Sequence, residues 1–197
     1  MKVLGITGQI GSGKTHITEF FRDFGCPVFY SDIEARRLYK DAEVIEDIKK
    51  EIGSDVFTDG KLDKEKIRMY ISKSALNANA ISYIFHPRVK AKFIEFKRDW
   101  EKFIGKTDIM IYESALLKGD ESYIDYYLYV YSNTALREER VIHRDKISAN
   151  IFAAISAKQK NPSDILEFSD FVIVNNSLTD ELLEMQVKTI IDILKEI

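Results

Sequence analysis

Gly8-Gln9-Ile10-Gly11-Ser12-Gly13-Lys14-Thr15 follows directly on the apolar run Val3-Leu4-Gly5-Ile6 and satisfies G-x-x-x-x-G-K-S/T at every fixed position. Few folds accept such a segment: a strand must end, the backbone must turn with its N–H groups inward, and a helix must begin at once. The glycines permit the turn, and an anion replaces the water that the inward donors would otherwise need. Lys14 supplies a point charge for terminal phosphates, and the Thr15 hydroxyl is placed to ligate Mg2+. The helix start adds unpaired donors and a positive dipole. A chance match in a chain of this length has a probability of roughly 1%, and the context lowers it. Ile17, Phe20, Phe21 and Phe24 recur at i, i+3, i+4 and i+7 after the loop, and Gly25 supplies a helix stop.

At 197 residues the chain supports one sizeable core with room for inserted subdomains. Hydrophobic residues make up 45% and charged residues 31%, and no apolar stretch approaches the roughly 20 residues that cross a bilayer. No membrane association is expected. A cleaved leader would remove the phosphate loop, so a cytoplasmic enzyme is expected. Cys26 is the only cysteine, which excludes an intrachain disulfide, and His16, His86 and His143 have no zinc-ligand spacing. The metal implied is therefore Mg2+ carried with a nucleotide. A net charge of −3 and a pI near 5.7 offer no broad attraction to DNA or RNA, so no nucleic-acid partner is expected.

Further β-rich runs stand at Pro27-Val28-Phe29-Tyr30, Ile109-Met110-Ile111-Tyr112, Tyr127-Leu128-Tyr129-Val130-Tyr131 and Phe171-Val172-Ile173-Val174. Short apolar strands alternating with helices predict an α/β, three-layer fold on a five-stranded parallel sheet, because such connections need long crossovers. Residues from about 41 to 106 contain no strong strand and read as a helical insert. Its last helix carries Val89, Phe93, Phe96, Trp100 and Phe103 at 3–4 spacing, which reads as core packing. Pro27, Pro87 and Pro162 are expected at element starts. A C-terminal helix capped by Thr179 should bury Leu183, Val187, Ile190, Ile191 and Leu194.

A phosphate cradle does not by itself separate a kinase from a nucleotide switch. Asp32 stands at the C-terminal end of the second predicted strand, the edge from which open α/β sheets present site residues. A carboxylate there is suited to accept a proton from an attacking hydroxyl, and it also fits an N-cap for the run Ile33 to Tyr39. Arg137, Arg140 and Arg144 lie at i, i+3 and i+7 of a helix beginning near Thr134, and no acid stands three or four positions from any of them. Glu138, Glu139 and Asp145 are expected to point elsewhere. Bound triphosphate is the obvious counter-charge, with a solvated basic face or a distant acid as the alternative.

Gly5-Ile6-Thr7-Gly8-Gln9-Ile10-Gly11-Ser12-Gly13-Lys14-Thr15 resembles the opening G-L-T-G-G-I-G-S-G-K-S of the dephospho-CoA kinase family. Other segments follow in that family's order. Ser31-Asp32-Ile33-Glu34-Ala35-Arg36 resembles D-A-D-x-x-A-R, Gly60-Lys61-Leu62-Asp63-Lys64 resembles G-x-I/L-N/D-R, and Ile84-Phe85-His86-Pro87 matches I/L-x-H-P. Arg140 to Asp145 matches R-x-x-x-R-D/N, Ala157-Lys158-Gln159 matches A-x-Q, and Ser169 to Asn176 resembles A-D-x-V-I-x-N. The resemblance implies a P-loop kinase fold like that of nucleoside-monophosphate kinases. The core would take about 1–40, 107–135 and 169–197, with a helical acceptor-binding insert at about 41–106 and a small helical lid at about 136–168.

It also implies ATP-dependent phosphorylation of the ribose 3'-hydroxyl of dephospho-CoA. Asp32 would take the hydroxyl proton, Lys14 and Thr15 would hold the phosphates and Mg2+, and Arg140 with Arg144 would belong to the lid. Arg36 and His86 would shape the acceptor side, and Asn175 would lie near the adenine. A monomer or weak homo-oligomer is expected. Three departures stand out: Gln9 replaces a glycine, Tyr30 replaces the first aspartate of D-x-D, and Ala115-Leu116-Leu117-Lys118-Gly119 replaces P-L-L-F-E, with Glu113 a nearby carboxylate. The competing readings are a kinase for a nucleoside or nucleoside monophosphate, and a nucleotide-dependent switch. Asn161-Pro162-Ser163-Asp164 lacks the lysine of a guanine-reading N-K-x-D segment.

Overall fold

The computed structural model describes residues 1–103 and 108–197. In chain order it contains β1 (Lys2–Thr7), α1 (Lys14–Asp23), β2 (Val28–Tyr30), α2 (Ser31–Leu38), α3 (Ala42–Glu51), β3 (Phe57–Thr58), β4 (Lys61–Leu62) and α4 (Lys64–Lys73). There follow α5 (Ala75–Glu101), β5 (Ile109–Glu113), β6 (Tyr126–Tyr131), α6 (Thr134–Asp145), α7 (Ala149–Ser156), α8 (Pro162–Leu166), β7 (Phe171–Val174) and α9 (Asp180–Glu196). Two compact units result, one from Met1–Tyr30 with Trp100–Ile197 and one from Ser31–Asp99. The end of the expected insert at 106 and the resumption of the core at 107 lie outside the described residues.

The first unit is built on a five-stranded sheet in the order β2-β5-β1-β6-β7, with every neighbouring pair parallel. Its central strand β1 has β5 on one side and β6 on the other, so the loop leaving β1 emerges where the strand order reverses. Open α/β sheets bind ligands at that position. Leu4, Ile6, Ile109, Ile111, Leu128 and Val130 point from the sheet into one core with Ile17 and Phe21 of α1 and Leu183, Val187 and Leu194 of α9. On the opposite face a Cβ at Gly5 would come within 2.9 Å of Leu117, so the segment after β5 covers that side. Both faces are buried at β1, β5 and β6, which is why those strands read as continuous apolar runs, whereas Val172 and Val174 of the edge strand β7 are exposed. Ile17 is fully buried, and Ile17→Val is expected to cost about 1 kcal/mol, read as a lowered urea midpoint.

Helix α1 stops as its composition demands: Phe24 is the C-cap and Gly25 takes φ 87°, a left-handed conformation. Phe24 is therefore part-exposed rather than the fourth core residue of its series. Thr179 occupies the N-cap of α9 and the expected apolar face is buried, but the threonine makes no side-chain bond to the helix backbone. A backbone hydrogen bond and the Thr179 hydroxyl hold the Glu181 carboxyl below the usual carboxylate range.

The second unit is mostly helical, with one element the sequence reading did not anticipate. Phe57–Thr58 and Lys61–Leu62 pair as a two-stranded antiparallel hairpin. Its turn is Asp59-Gly60, with φ 49° and 75° at the two residues. That is the Asp-Gly signature of a tight hairpin. Asp41 and Asp63 cap α3 and α4, each accepting from two backbone N–H groups. Pro87 does not start an element; it lies inside α5. Proline has no N–H for the carbonyl of Tyr83, and the neighbouring carbonyl of Ile84 instead accepts from the Arg88 guanidinium at 2.8 Å. Val89 and Phe93 are buried as expected, whereas Phe103 is exposed beyond the end of α5.

Candidate functional site

Gly8 to Gly13 form the turn between β1 and α1, and Gly13 occupies the N-cap of α1 at φ 90°. The glycines meet a steric demand as well as a conformational one. A Cβ at Gly11 would come within 2.6 Å of the Arg137 carbonyl, and one at Gly13 would collide with the Asn175 side-chain amide. Gly11→Ala is accordingly expected to weaken nucleotide binding by about tenfold or more, because a left-handed residue and the α6 backbone must both shift. Calorimetric titration with ADP checks it. The first turn of α1 holds no acid, so its dipole is uncompensated by side chains. Ser12 Oγ is buried without a hydrogen-bond partner in the loop interior, a polar atom of the kind a bound anion would satisfy.

Lys14 Nζ donates to the Gly8 carbonyl at 2.8 Å, which folds the ammonium back over the loop. Thr15 Oγ1 donates to Glu113 Oε1 at 3.1 Å. Glu113 ends β5 and stands in register with Ile6 of β1 and Tyr30 of β2. A hydroxyl beside a carboxylate at the mouth of a phosphate loop is an oxygen donor set suited to Mg2+. Tyr30, where the family pattern has aspartate, donates to Glu19 Oε1 at 2.6 Å. Burial first, and then the Glu19 carboxylate, push its phenol well above the usual range.

The three arginines of α6 share a helix but occupy three environments. Arg140 donates to the carbonyls of Gly11 and Asn175, to Asn175 Oδ1 and to Ser132 Oγ. Arg137 is buried, with Ile10 O, Ser156 Oγ and Thr134 Oγ1 around its guanidinium. Arg144 is exposed and forms a two-pronged pair with Asp145, at 2.7 and 2.8 Å. Asp145 thus does not point elsewhere, and its hydrogen bond to Arg144 lowers the Asp145 pKa. Spacing at three and four residues missed the pair because Arg144 and Asp145 are adjacent at the C-terminal end of α6, where both side chains reach solvent. Asn175 is buried, and its Nδ2 donates to the Ser12 carbonyl at 2.9 Å. Its side chain braces the phosphate loop from the far side.

Asp32 lies within the first turn of α2 instead of capping it, since that helix starts at Ser31 directly from β2. Asp32, Arg36 and His86 are exposed residues of the second unit. The first unit brings together Lys14, Thr15, Glu113, Arg140 and Asn175. Sequence reasoning missed Glu121, whose carboxylate accepts from the N–H groups of Lys118 and Gly119 and from the Tyr127 hydroxyl. It stabilises the segment standing in place of P-L-L-F-E, and the available signal was an acid two residues beyond Gly119.

Residues 2–181 match the family described as dephospho-CoA kinase. The chain belongs to the dephospho-CoA kinase family. A relative named dephospho-CoA kinase from Bacteroides fragilis is 33% identical over 188 residues, covering 92% of this chain and 90% of that protein. Another from Bartonella quintana is 30% identical and covers 98% and 97%. Among solved structures, TT1252 from Thermus thermophilus is similar with a TM-score of 0.81 at 25% identity, covering 100% of this chain and 97% of the other. A dephospho-CoA kinase from Campylobacter jejuni shares the fold with a TM-score of 0.57 at 20% identity, covering 97% and 96%.

Proposed function

We propose that this chain transfers the γ-phosphoryl group of ATP to the ribose 3'-hydroxyl of dephospho-CoA, giving CoA and ADP. The observation that carries the reading is the phosphate loop of a dephospho-CoA kinase family member, with Lys14 folded over the loop and Thr15 against Glu113. In the transfer, the 3'-oxygen forms a new bond to the γ-phosphorus while the bond from that phosphorus to the β-phosphate oxygen breaks. The hydroxyl proton goes to the Asp32 carboxylate, and ADP leaves. Lys14 and the α1 N-terminus balance the charge on the phosphates, and Arg140, held against Gly11 and Asn175, adds a second cation at the loop. Arg144 belongs to the lid, and Arg36 and His86 shape the acceptor side.

Thr15 and Glu113 would hold Mg2+, which when bound neutralises charge on the β- and γ-phosphate oxygens. Glu113→Gln is therefore expected to raise the Mg2+ concentration for half-maximal rate by about tenfold or more, measured by titrating Mg2+ at fixed ATP. Asn175 lies near the adenine as a brace of the loop, acting through Ser12 and Arg140. The proposed setting is the cytoplasm, with small-molecule partners alone and a monomeric or weakly self-associating chain. Among the described residues no helix is long and apolar enough to cross a membrane.

The test is a comparison of acceptors. ADP release should be fastest with dephospho-CoA, and mass spectrometry with phosphatase mapping should locate the new phosphate on the 3'-oxygen. ADP release no faster with dephospho-CoA than with a nucleoside monophosphate would overturn the assignment.

A further inference from the structure

The tip of the phosphate loop is fastened to the turn between α7 and α8 by side chains that the phosphate-binding role does not require. Gln9 Nε2 donates to the Lys160 carbonyl at 3.1 Å, and Gln159 Oε1 accepts from the Ile10 N–H at 2.8 Å. From α6, Arg137 Nη1 spans the Ile10 carbonyl at 3.3 Å and Ser156 Oγ at 3.5 Å. Both backbone groups of Ile10 are thus engaged, its N–H by Gln159 and its carbonyl by Arg137. The loop amide at Ile10 is turned to the protein, and the anion is left to the donors that follow it.

Two features argue that this is more than ordinary packing. Gln9 and Arg137 are 6% and 3% exposed. Arg137 makes no ion pair among the described residues, and its Nε has no hydrogen-bond partner. A buried guanidinium without a carboxylate is costly to fold around, which suits a residue kept for what it holds. Gln9 also stands where the family pattern has glycine, which has no side chain to reach Lys160. Arg137 lies three residues before the R-x-x-x-R-D/N segment and outside it.

We propose that Gln9, Gln159 and Arg137 form a clasp coupling the phosphate loop to residues 156–160, so that nucleotide in the loop orders that turn. They are positioning residues, acting through Ile10 and Lys160. The inference rests on the loop as the ATP site, and it adds a route by which occupancy of the loop reaches the α7–α8 segment. Ordering one end of such a unit lowers the cost of ordering the other.

The test uses Gln9→Gly, which fits the loop backbone, and Gln159→Leu, which keeps volume but removes the acceptor. Each variant should raise KM for ATP about fivefold, with a smaller change in kcat and an unaltered KM for dephospho-CoA. The decisive readout is amide hydrogen exchange with and without ADP. In the wild type, ADP should slow exchange at residues 156–160; in the variants ADP should still bind and slow exchange in α1, but not at 156–160. Equal protection of 156–160 in wild type and variants, or an unchanged KM for ATP, overturns the clasp. Because the probe is ADP itself, this result is independent of which acceptor the enzyme uses.

Discussion

Replacing Lys14 with alanine is expected to lower kcat/KM for ATP by roughly 10³-fold, in an assay coupling ADP release to dephospho-CoA phosphorylation. Lys14 is the first residue of α1 and half-buried, and its ammonium lies over the loop through its bond to the Gly8 carbonyl. Removing it takes away the point charge opposite the terminal phosphates and one of the ties that shape the turn. Charge developing in transfer would then be left to the loop amides, Arg140 and the metal that Thr15 and Glu113 would hold. Lys14→Arg should not restore the rate, because a planar fork does not reproduce the compact ammonium that bonds the Gly8 carbonyl. The thermal midpoint should change little, since the sheet core with Ile17 and Phe21 is untouched. A Lys14→Ala enzyme retaining more than about a tenth of the wild-type rate would contradict the expected loss and remove transfer from this loop.

The phosphate loop was legible because its chemistry is local. Eight adjacent residues specify a turn, a charge and a helix start, and the strands around it are apolar on both faces. The five-stranded sheet followed from the same alternation. What escaped depended on contacts between residues far apart in sequence. Gln9 and Gln159 are 150 positions apart, and no periodicity links a loop amide to a glutamine after α7. Arg137 was visible as a charge, but only the fold shows it facing Ile10 and Ser156 while its helix neighbour Arg144 turns to Asp145. Asn175 was picked out by resemblance, and its bond to the Ser12 carbonyl is a product of β7 ending beside the loop. The β3–β4 hairpin was missed for a different reason. Its strands are two residues long, too short for alternation to register, although Asp59-Gly60 carried the turn signal.

Asp32→Asn is expected to reduce kcat by about 10²- to 10⁴-fold while ATP binding, measured by calorimetry with a non-hydrolysable analogue, stays within about threefold. The substitution is isosteric, and the carboxylate is exposed in the first turn of α2, so its structural role is limited to a helix dipole contact. Among the described residues no hydrogen bond or ion pair engages that carboxylate, so its oxygens are available to an acceptor hydroxyl. Glu34 sits in the same first turn but is held by Arg37, and Glu34→Gln should leave the rate close to wild type. The contrast separates a chemical role from a merely acidic helix start. Tyr30 sharpens it further. A phenol tied to Glu19 stands where the family pattern has its first aspartate, so the carboxylate two residues before Asp32 is missing. A parallel fall in ATP affinity and rate would instead assign Asp32 to holding the metal–nucleotide pair, whereas a rate loss alone identifies the group that takes the proton.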